Sequence, residues 1–193
     1  MGHTTNQEVV MADVVDLIMQ DHREVERLFA ELESNPQARP TVVPVLTTLL
    51  AAHSRAEESE VYPAAADAGG ADDVEHSQQE HIEADELLER LAEADPEGAE
   101  FEEILAKAVE SVSHHIEEEE ETVLLHMRER MDVSRREELG DAFLKAREEH
   151  LGQQPADITR DELRRQADNA GITGVSGLDK ASLQEELRKQ ADG

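Results

Sequence analysis

Cysteine is absent from this chain of 193 residues. Disulfides, zinc ribbons, iron–sulfur clusters and thiol nucleophiles are therefore excluded, and any metal must be held by histidine and carboxylate. Aromatic side chains are scarce, with one Tyr, three Phe and no Trp, and the apolar share of 38% is lean but sufficient for a core. Bases are few: 18 Lys and Arg against 47 Asp and Glu give a formal charge of −29. A surface so negative repels phosphate and loses the counterion-release contribution that dominates nucleic-acid affinity, and it equally disfavours an anionic membrane surface. No apolar run approaches the ~20 residues that span a bilayer. The start, MGHTTNQEVV, has neither the basic flank nor the apolar stretch of a signal peptide. The expectation is a soluble cytoplasmic protein with no membrane partner.

What is present is long 3.6-residue periodicity with Pro and Gly gathered between the periodic stretches, the pattern of helices joined by short loops. Composition shifts near Gly152: residues 155–193 hold eight acids and six bases, so nearly all the negative charge lies before them. The spacing predicts helix one from Val9 to Ser34, with Val14, Ile18, Val25, Phe29 and Leu32 on one stripe. Helix two, Thr41 to Ala66, carries Pro40 and Pro44 near its start, where a missing amide proton does least harm. Helix three follows the Gly69-Gly70 break, from Asp72 to Ala94, and helix four runs from Glu97 to Met131. A shorter helix, Ser134 to Glu149, opens on a Ser-x-x-Glu capping box. The expected fold is all-α: an up-down-up-down four-helix bundle with a short fifth helix over residues 1–152, then a small helical appendage over 153–193.

Polar residues on the apolar stripes carry the chemistry. His22 lies between Ile18 and Val25, His53 follows Leu46 and Leu49 with Glu57 one turn on, His81 precedes Ala84 and Leu88, and His115 follows Ala108 and Val112 with Glu119 one turn on. Burying four imidazoles and two carboxylates costs several kcal/mol per ionised group unless something compensates. A bound cation suits all six, and nitrogen and oxygen donors without sulfur fit iron, manganese or zinc. Height along the bundle agrees. His22 and His53 stand equally far from the turn between residues 37 and 38, and Glu57 and His81 differ by one residue about the Gly69-Gly70 turn, on the order of 2 Å. The order also repeats. His22 with Leu28, Phe29 and Leu32 matches His81 with Leu87, Leu88 and Leu91 at an offset of 59, and His53, Glu57, Glu58 and Val61 match His115, Glu119, Glu120 and Val123 at 62. Two hairpins built to one plan each supply His, then His-x-x-x-Glu. Glu58 and Glu120 recur in both halves, which suits a role orienting an imidazole that binds metal.

In this order of residues, with HSRAEESEVYP and HHIEEEEETVL as its two most characteristic stretches, the chain resembles the hemerythrin-like (HHE cation-binding) proteins over about residues 10–150. The resemblance implies two non-haem iron ions held by His22, His53, Glu57, His81, His115 and Glu119, with bridging carboxylates and oxygen-derived (oxo, hydroxo or peroxo) bridges. Relatives bind O₂ reversibly, sense iron or oxygen, respond to nitric oxide or decompose peroxide. The oxygen carriers offer two histidines four apart on the third helix, whereas here Ser77 stands four before His81 and His76 five before it. The helix-four carboxylate is likewise Glu at four rather than Asp at five. One ligand fewer leaves an open position, favouring peroxide or nitric oxide chemistry over carriage. A ferritin-like site would want Glu-x-x-His, and none of the nine histidines has Glu three residues before it.

The other histidines read as accessories: His76 as a reserve ligand, His114 flanking, His126 at the end of the core, His3 and His150 in solvent. Tyr62 either lines the pocket or caps the core. In the tail, two amphipathic helices (Thr159 to Asn169, Asp179 to Gln190) flank an extended Gly171-Ile172-Thr173-Gly174, resembling helix-extended-helix modules of the SAP and Rho N-terminal type. Those modules often bind nucleic acid, but the acids outnumber the bases here, so a docking or oligomerisation appendage is the leading expectation. The functional expectation is a di-iron protein that binds or turns over O₂, peroxide or nitric oxide. The alternative is a metal-free acidic helical protein whose tail recruits a partner or nucleic acid, and a third reading is an iron or oxygen sensor acting through the tail. Enzyme, carrier and sensor are not separable from sequence, nor is the oligomeric state.

Overall fold

The computed structural model describes residues 12–191 and is helical throughout, with no strand among the described residues. Helix α1 (Val14–Ser34) starts on Asp13, whose side chain accepts a hydrogen bond from the Val15 amide at 3.0 Å. The expected start at Val9 lies outside the described residues, as does His3, but Ala12 and Asp13 are not helical. Asp13 ends the helix there by satisfying an orphan donor.

Helix α2 (Arg39–Ala56) takes Pro40 in its first turn and continues through a widened turn, Glu57–Val61, into the short α3 (Tyr62–Ala65). In that turn the Tyr62 amide reaches back five residues to the Glu57 carbonyl. Pro63 follows directly; it has no amide proton, and its ring crowds the carbonyl four residues back. The chain reverses at Gly69, whose φ of 94° is one that only glycine adopts easily. Helix α4 (Ala71–Glu93) returns along the bundle and α5 (Ala99–Glu121) completes it.

The expected fourth helix is not continuous: Thr122 (φ −116°, ψ −85°) breaks it, and α6 (Val123–Arg130) follows. The Thr122 hydroxyl bonds the Glu118 carbonyl at 2.7 Å alongside the Thr122 amide at 2.9 Å, a side-chain back-bond of the kind that bends helices. Both irregularities occupy the same place in the two hairpins, immediately after Glu57 and just beyond Glu119.

Helix α7 (Val133–His150) packs across α1 and α2. It is capped by Asp132, two residues before the expected Ser134, because the Asp132 carboxylate accepts from the Arg135 amide at 2.9 Å. A carboxylate also complements the positive end of the helix. In the tail, α8 (Arg160–Asn169) carries a Thr159–Glu162 capping box and α9 (Lys180–Ala191) follows. These helices lie on the bundle, with Ile158, Leu163, Ala167, Leu183 and Leu187 gathered around Ile82 of α4. No described helix is long and apolar enough to cross a membrane.

The core falls into two apolar blocks. One holds Val25, Leu28, Leu46, Leu50, Leu88, Phe101, Leu105 and Val112. The other holds Val14, Ile18, Ala56, Val61, Tyr62, Val74, Val123, Leu124 and Phe143. On each long helix a polar layer separates the two.

Candidate metal centre

All six residues expected to form the site meet in that layer. His22 of α1, His53 of α2, His81 of α4 and His115 of α5 are each 5% exposed or less, and Glu57 and Glu119 are fully buried. The 3.6-residue repeat puts each imidazole on the inner stripe, and a spacing of four puts each carboxylate one turn from its histidine on the same face. His53 Nε2 lies 3.1 Å from Glu57 Oε2, and His81 Nε2 lies 3.5 Å from the same oxygen. His22 Nε2 lies 3.3 Å and His115 Nε2 3.9 Å from Glu119 Oε2. Each carboxylate therefore touches imidazoles of both hairpins. The rings pair within each hairpin, His22 with His53 at 5.2 Å between centroids and His81 with His115 at 4.6 Å.

Behind the imidazoles stands a ring of acids, one at each outer nitrogen. Glu120 meets His22 Nδ1 at 2.9 Å, Asp21 meets His53 Nδ1 at 3.3 Å, Glu58 meets His81 Nδ1 at 3.4 Å, and Glu80 meets His115 Nδ1 at 2.9 Å. A carboxylate on Nδ1 fixes the ring's orientation and leaves Nε2 for the interior, the arrangement that metal-binding imidazoles use. Glu58 and Glu120 are at positions expected from the sequence repeat. Asp21 and Glu80 were missed, although the signal is there: each directly precedes a site histidine, at the same offset of 59 as His22 and His81. The ring is itself supported, with Arg147 of α7 on Asp21, Arg23 on Glu120, and Gln78 and Gln166 donating to Glu58 at 2.8 and 3.0 Å. Gln166 belongs to α8, so the tail reaches the ring of acids directly.

Electrostatics bind the layer together. Burial opposes protonation of His53, but the carboxylates of Glu57 and Asp21 outweigh it and raise the imidazole's pKa to about 10. His81 is raised to about 9 against burial by Glu58, Glu57 and Glu119. Burial pushes Glu119 up, yet the imidazoles of His22, His115 and His81 hold it well below the usual carboxylate range. Tyr62 is fully buried, with its hydroxyl 3.1 Å from His81 Nε2. Its hydroxyl thus borders the polar layer while its ring packs in the second apolar block. Burial first, then the carboxylates of Glu119, Glu57 and Glu58, raise its pKa so that the phenol stays protonated.

The remaining described histidines lie elsewhere. His76 and His114 are outside the layer on the α4–α5 face, with side chains 59% and 61% exposed. His126 pairs with Asp73 at 2.7 Å near the bundle end. His150, expected in solvent, is partly covered, 3.5 Å from Glu162 where the tail meets α7.

Metal chemistry fits this layer. His22 Nε2 and all four oxygens of Glu57 and Glu119 are buried without a hydrogen-bond partner. Buried polar atoms are satisfied in more than about 90% of cases, and a bound cation would satisfy these five. His22, His53 and Glu57 bring donor atoms within 4.8 Å of one another. The comparisons agree. The sequence model of the Hemerythrin HHE cation binding domain matches residues 13–125, more than half of the chain, and the protein belongs to that family of cation-binding helical proteins. A curated relative, the DNA nickase of Nostoc sp. (strain PCC 7120 / SAG 25.82 / UTEX 2576), is 28% identical over 137 residues, covering 70% of this chain and 39% of the relative. The chain thus spans about two fifths of that protein's length. No solved structure matches the chain significantly.

Proposed function

We propose that the chain holds a non-haem di-iron centre that binds or reacts with O₂, peroxide or nitric oxide. His22 and His53 would hold one ion and His81 and His115 the other, with Glu57 and Glu119 bridging. The observation that carries this is that each carboxylate contacts imidazoles of both pairs. Iron suits a donor set of nitrogen and oxygen without sulfur, and supplies electrons to a small oxidant when bound. Two imidazoles and two carboxylate oxygens per ion would leave a coordination position for a small molecule from outside.

The chain's own residues prepare that site. Two apolar blocks exclude water from it, and the ring of acids hydrogen-bonds three of the four imidazoles, with Glu58 beside the fourth, before any ligand arrives. The Tyr62 hydroxyl, the one phenol in the chain, holds a proton beside His81 and would donate a hydrogen bond to a small anionic ligand. The test is peroxide consumption by the iron-loaded protein, with the visible spectrum recorded, against His81→Ala. A protein without iron absorption in the near ultraviolet, or one whose peroxide consumption the substitution leaves unchanged, counts against the reading.

One contact favours a sensor. Gln166 joins α8 to Glu58, and Glu58 to His81, so a change at His81 would reach the tail. Limited proteolysis of the tail in iron-loaded and stripped protein tests this; identical cleavage rates would exclude it. Strand nicking, the activity in the Nostoc protein's name, would require a chain with net charge −29 to approach phosphate and is not proposed.

A further inference from the structure

Outside the buried layer, a second group of donors stands on the α4–α5 face. His76 and Glu80 are one turn apart on α4, and His114 and Glu118 one turn apart on α5. His76 Nε2 lies 2.8 Å from Glu118 Oε2 and 3.8 Å from Glu80 Oε1. His114 Nε2 lies 3.7 Å from Glu80 Oε1 and 3.5 Å from Glu118 Oε1. Bonds of 2.0–2.1 Å at tetrahedral angles set donors about 3.4 Å apart; His76, Glu80 and Glu118 each bring one donor atom within 4.8 Å of the others, and His114 stands beside the two carboxylates. Two imidazoles and two carboxylates from a pair of adjacent helices are a donor set for a borderline divalent cation such as Zn²⁺, Co²⁺ or Ni²⁺.

The other hairpin shows that this is not a by-product of the repeat. At the matching positions stand Leu17, Ala52 and Ala56, with Asp21 in the place of Glu80. There α7 covers the surface, and its Arg147 supplies the positive charge on Asp21. On the α4–α5 side no described Lys or Arg pairs with Glu80 or Glu118; all their ion-pair partners are histidines. Both acids of the ring that face α1 or α7 thus have a built-in guanidinium, Arg23 or Arg147, while Glu80 has an open cluster of metal-type donors. A chain of net charge −29 draws divalent cations to such a cluster.

We propose that His76, Glu80, His114 and Glu118 form a peripheral site for one divalent transition-metal ion, distinct from the buried centre. Glu80 joins the two sites, since its Oε2 holds His115 Nδ1 at 2.9 Å while its Oε1 faces the outer histidines. An ion on the outer oxygen therefore acts on the imidazole that the proposed di-iron centre uses, and only this link rests on that proposal.

Calorimetric titration of Zn²⁺ into the iron-loaded full-length chain and into a His76→Asn/His114→Asn double variant decides the matter. Both side chains are mostly exposed, so the variant keeps its fold, which circular dichroism verifies. The wild type is expected to take up one Zn²⁺ per chain beyond its iron, with its iron content unchanged, at least tenfold more tightly than the variant. Equal uptake by the two proteins, or none by the wild type, overturns the site. Should the chain hold no iron, the buried reading fails. The stripped proteins then still decide the outer site, through a difference of one Zn²⁺ between them.

Discussion

Stripping the metal is expected to cost the bundle a large part of its stability. On the inner side of the layer, His22 Nε2 and the carboxylates of Glu57 and Glu119 are buried without a hydrogen-bond partner. A buried group left unsatisfied costs about 1–3 kcal/mol, so the three together cost on the order of 3–9 kcal/mol. A whole domain is stable by only about 5–15 kcal/mol. At roughly 2–4 °C per kcal/mol for a chain of this size, iron should raise the melting temperature by at least ~6 °C. The metal-free chain is partly rescued by protons. His53 and His81, raised to about 10 and 9, are charged at neutral pH beside the carboxylates. A raised imidazole pKa stabilises the fold fully below the unfolded value near 6.5, and that contribution is lost as pH rises through 9 to 10. Metal binding displaces those protons and so strengthens with pH. Scanning calorimetry of iron-loaded and chelator-stripped protein should therefore show a gap that widens from pH 7 to about pH 9.5. A gap under ~3 °C, or one that narrows as pH rises, would show that iron does not take the place of those protons in the layer.

Other outcomes follow from the surroundings of the layer. Glu120→Gln weakens the acceptor at His22 Nδ1 and should lower iron affinity about 10–100-fold by competition with a chelator, with the helical content unchanged. Asp85, half-buried beside Gln166, has a pKa raised to about 6 by burial and then by the charge of Glu58. Its penalty is absent below the unfolded value near 4 and complete above about 6. Asp85→Asn should therefore raise the melting temperature at pH 7 but not at pH 3.5, as thermal melts at the two pH values would show. Gly140→Ala would put a Cβ 2.0 Å from the Ala12 carbonyl oxygen where α7 meets the start of α1. That clash should cost about 1–3 kcal/mol in urea unfolding.

The layer was legible because its residues break a pattern that the rest of the chain obeys. Histidines on an apolar stripe are conspicuous, and a repeat at offsets of 59 and 62 tied four separate helices to one plan. The acids behind the imidazoles were half legible: Glu58 and Glu120 follow the repeated glutamates, while Asp21 and Glu80 have nothing but their place before a histidine to set them apart in a chain crowded with acids. The widened turn after Glu57 and the break at Thr122 left little trace, because Pro63 and Thr122 are both residues that helices tolerate at other positions. Arg147 and Gln166 could not be read at all. Their role depends on where α7 and α8 dock, and docking is set by packing between segments more than 80 residues apart in sequence.

A di-iron centre in the layer is tested by metal analysis combined with X-ray absorption on protein purified without an affinity tag and expressed in iron-replete medium. Two irons per chain are expected, with nitrogen and oxygen neighbours only and a second iron within about 4 Å, all lost in a His53→Ala/His115→Ala variant that still folds. Iron below one per chain in the wild type, or iron retained undiminished by the variant, would rule out a di-iron centre held by these histidines.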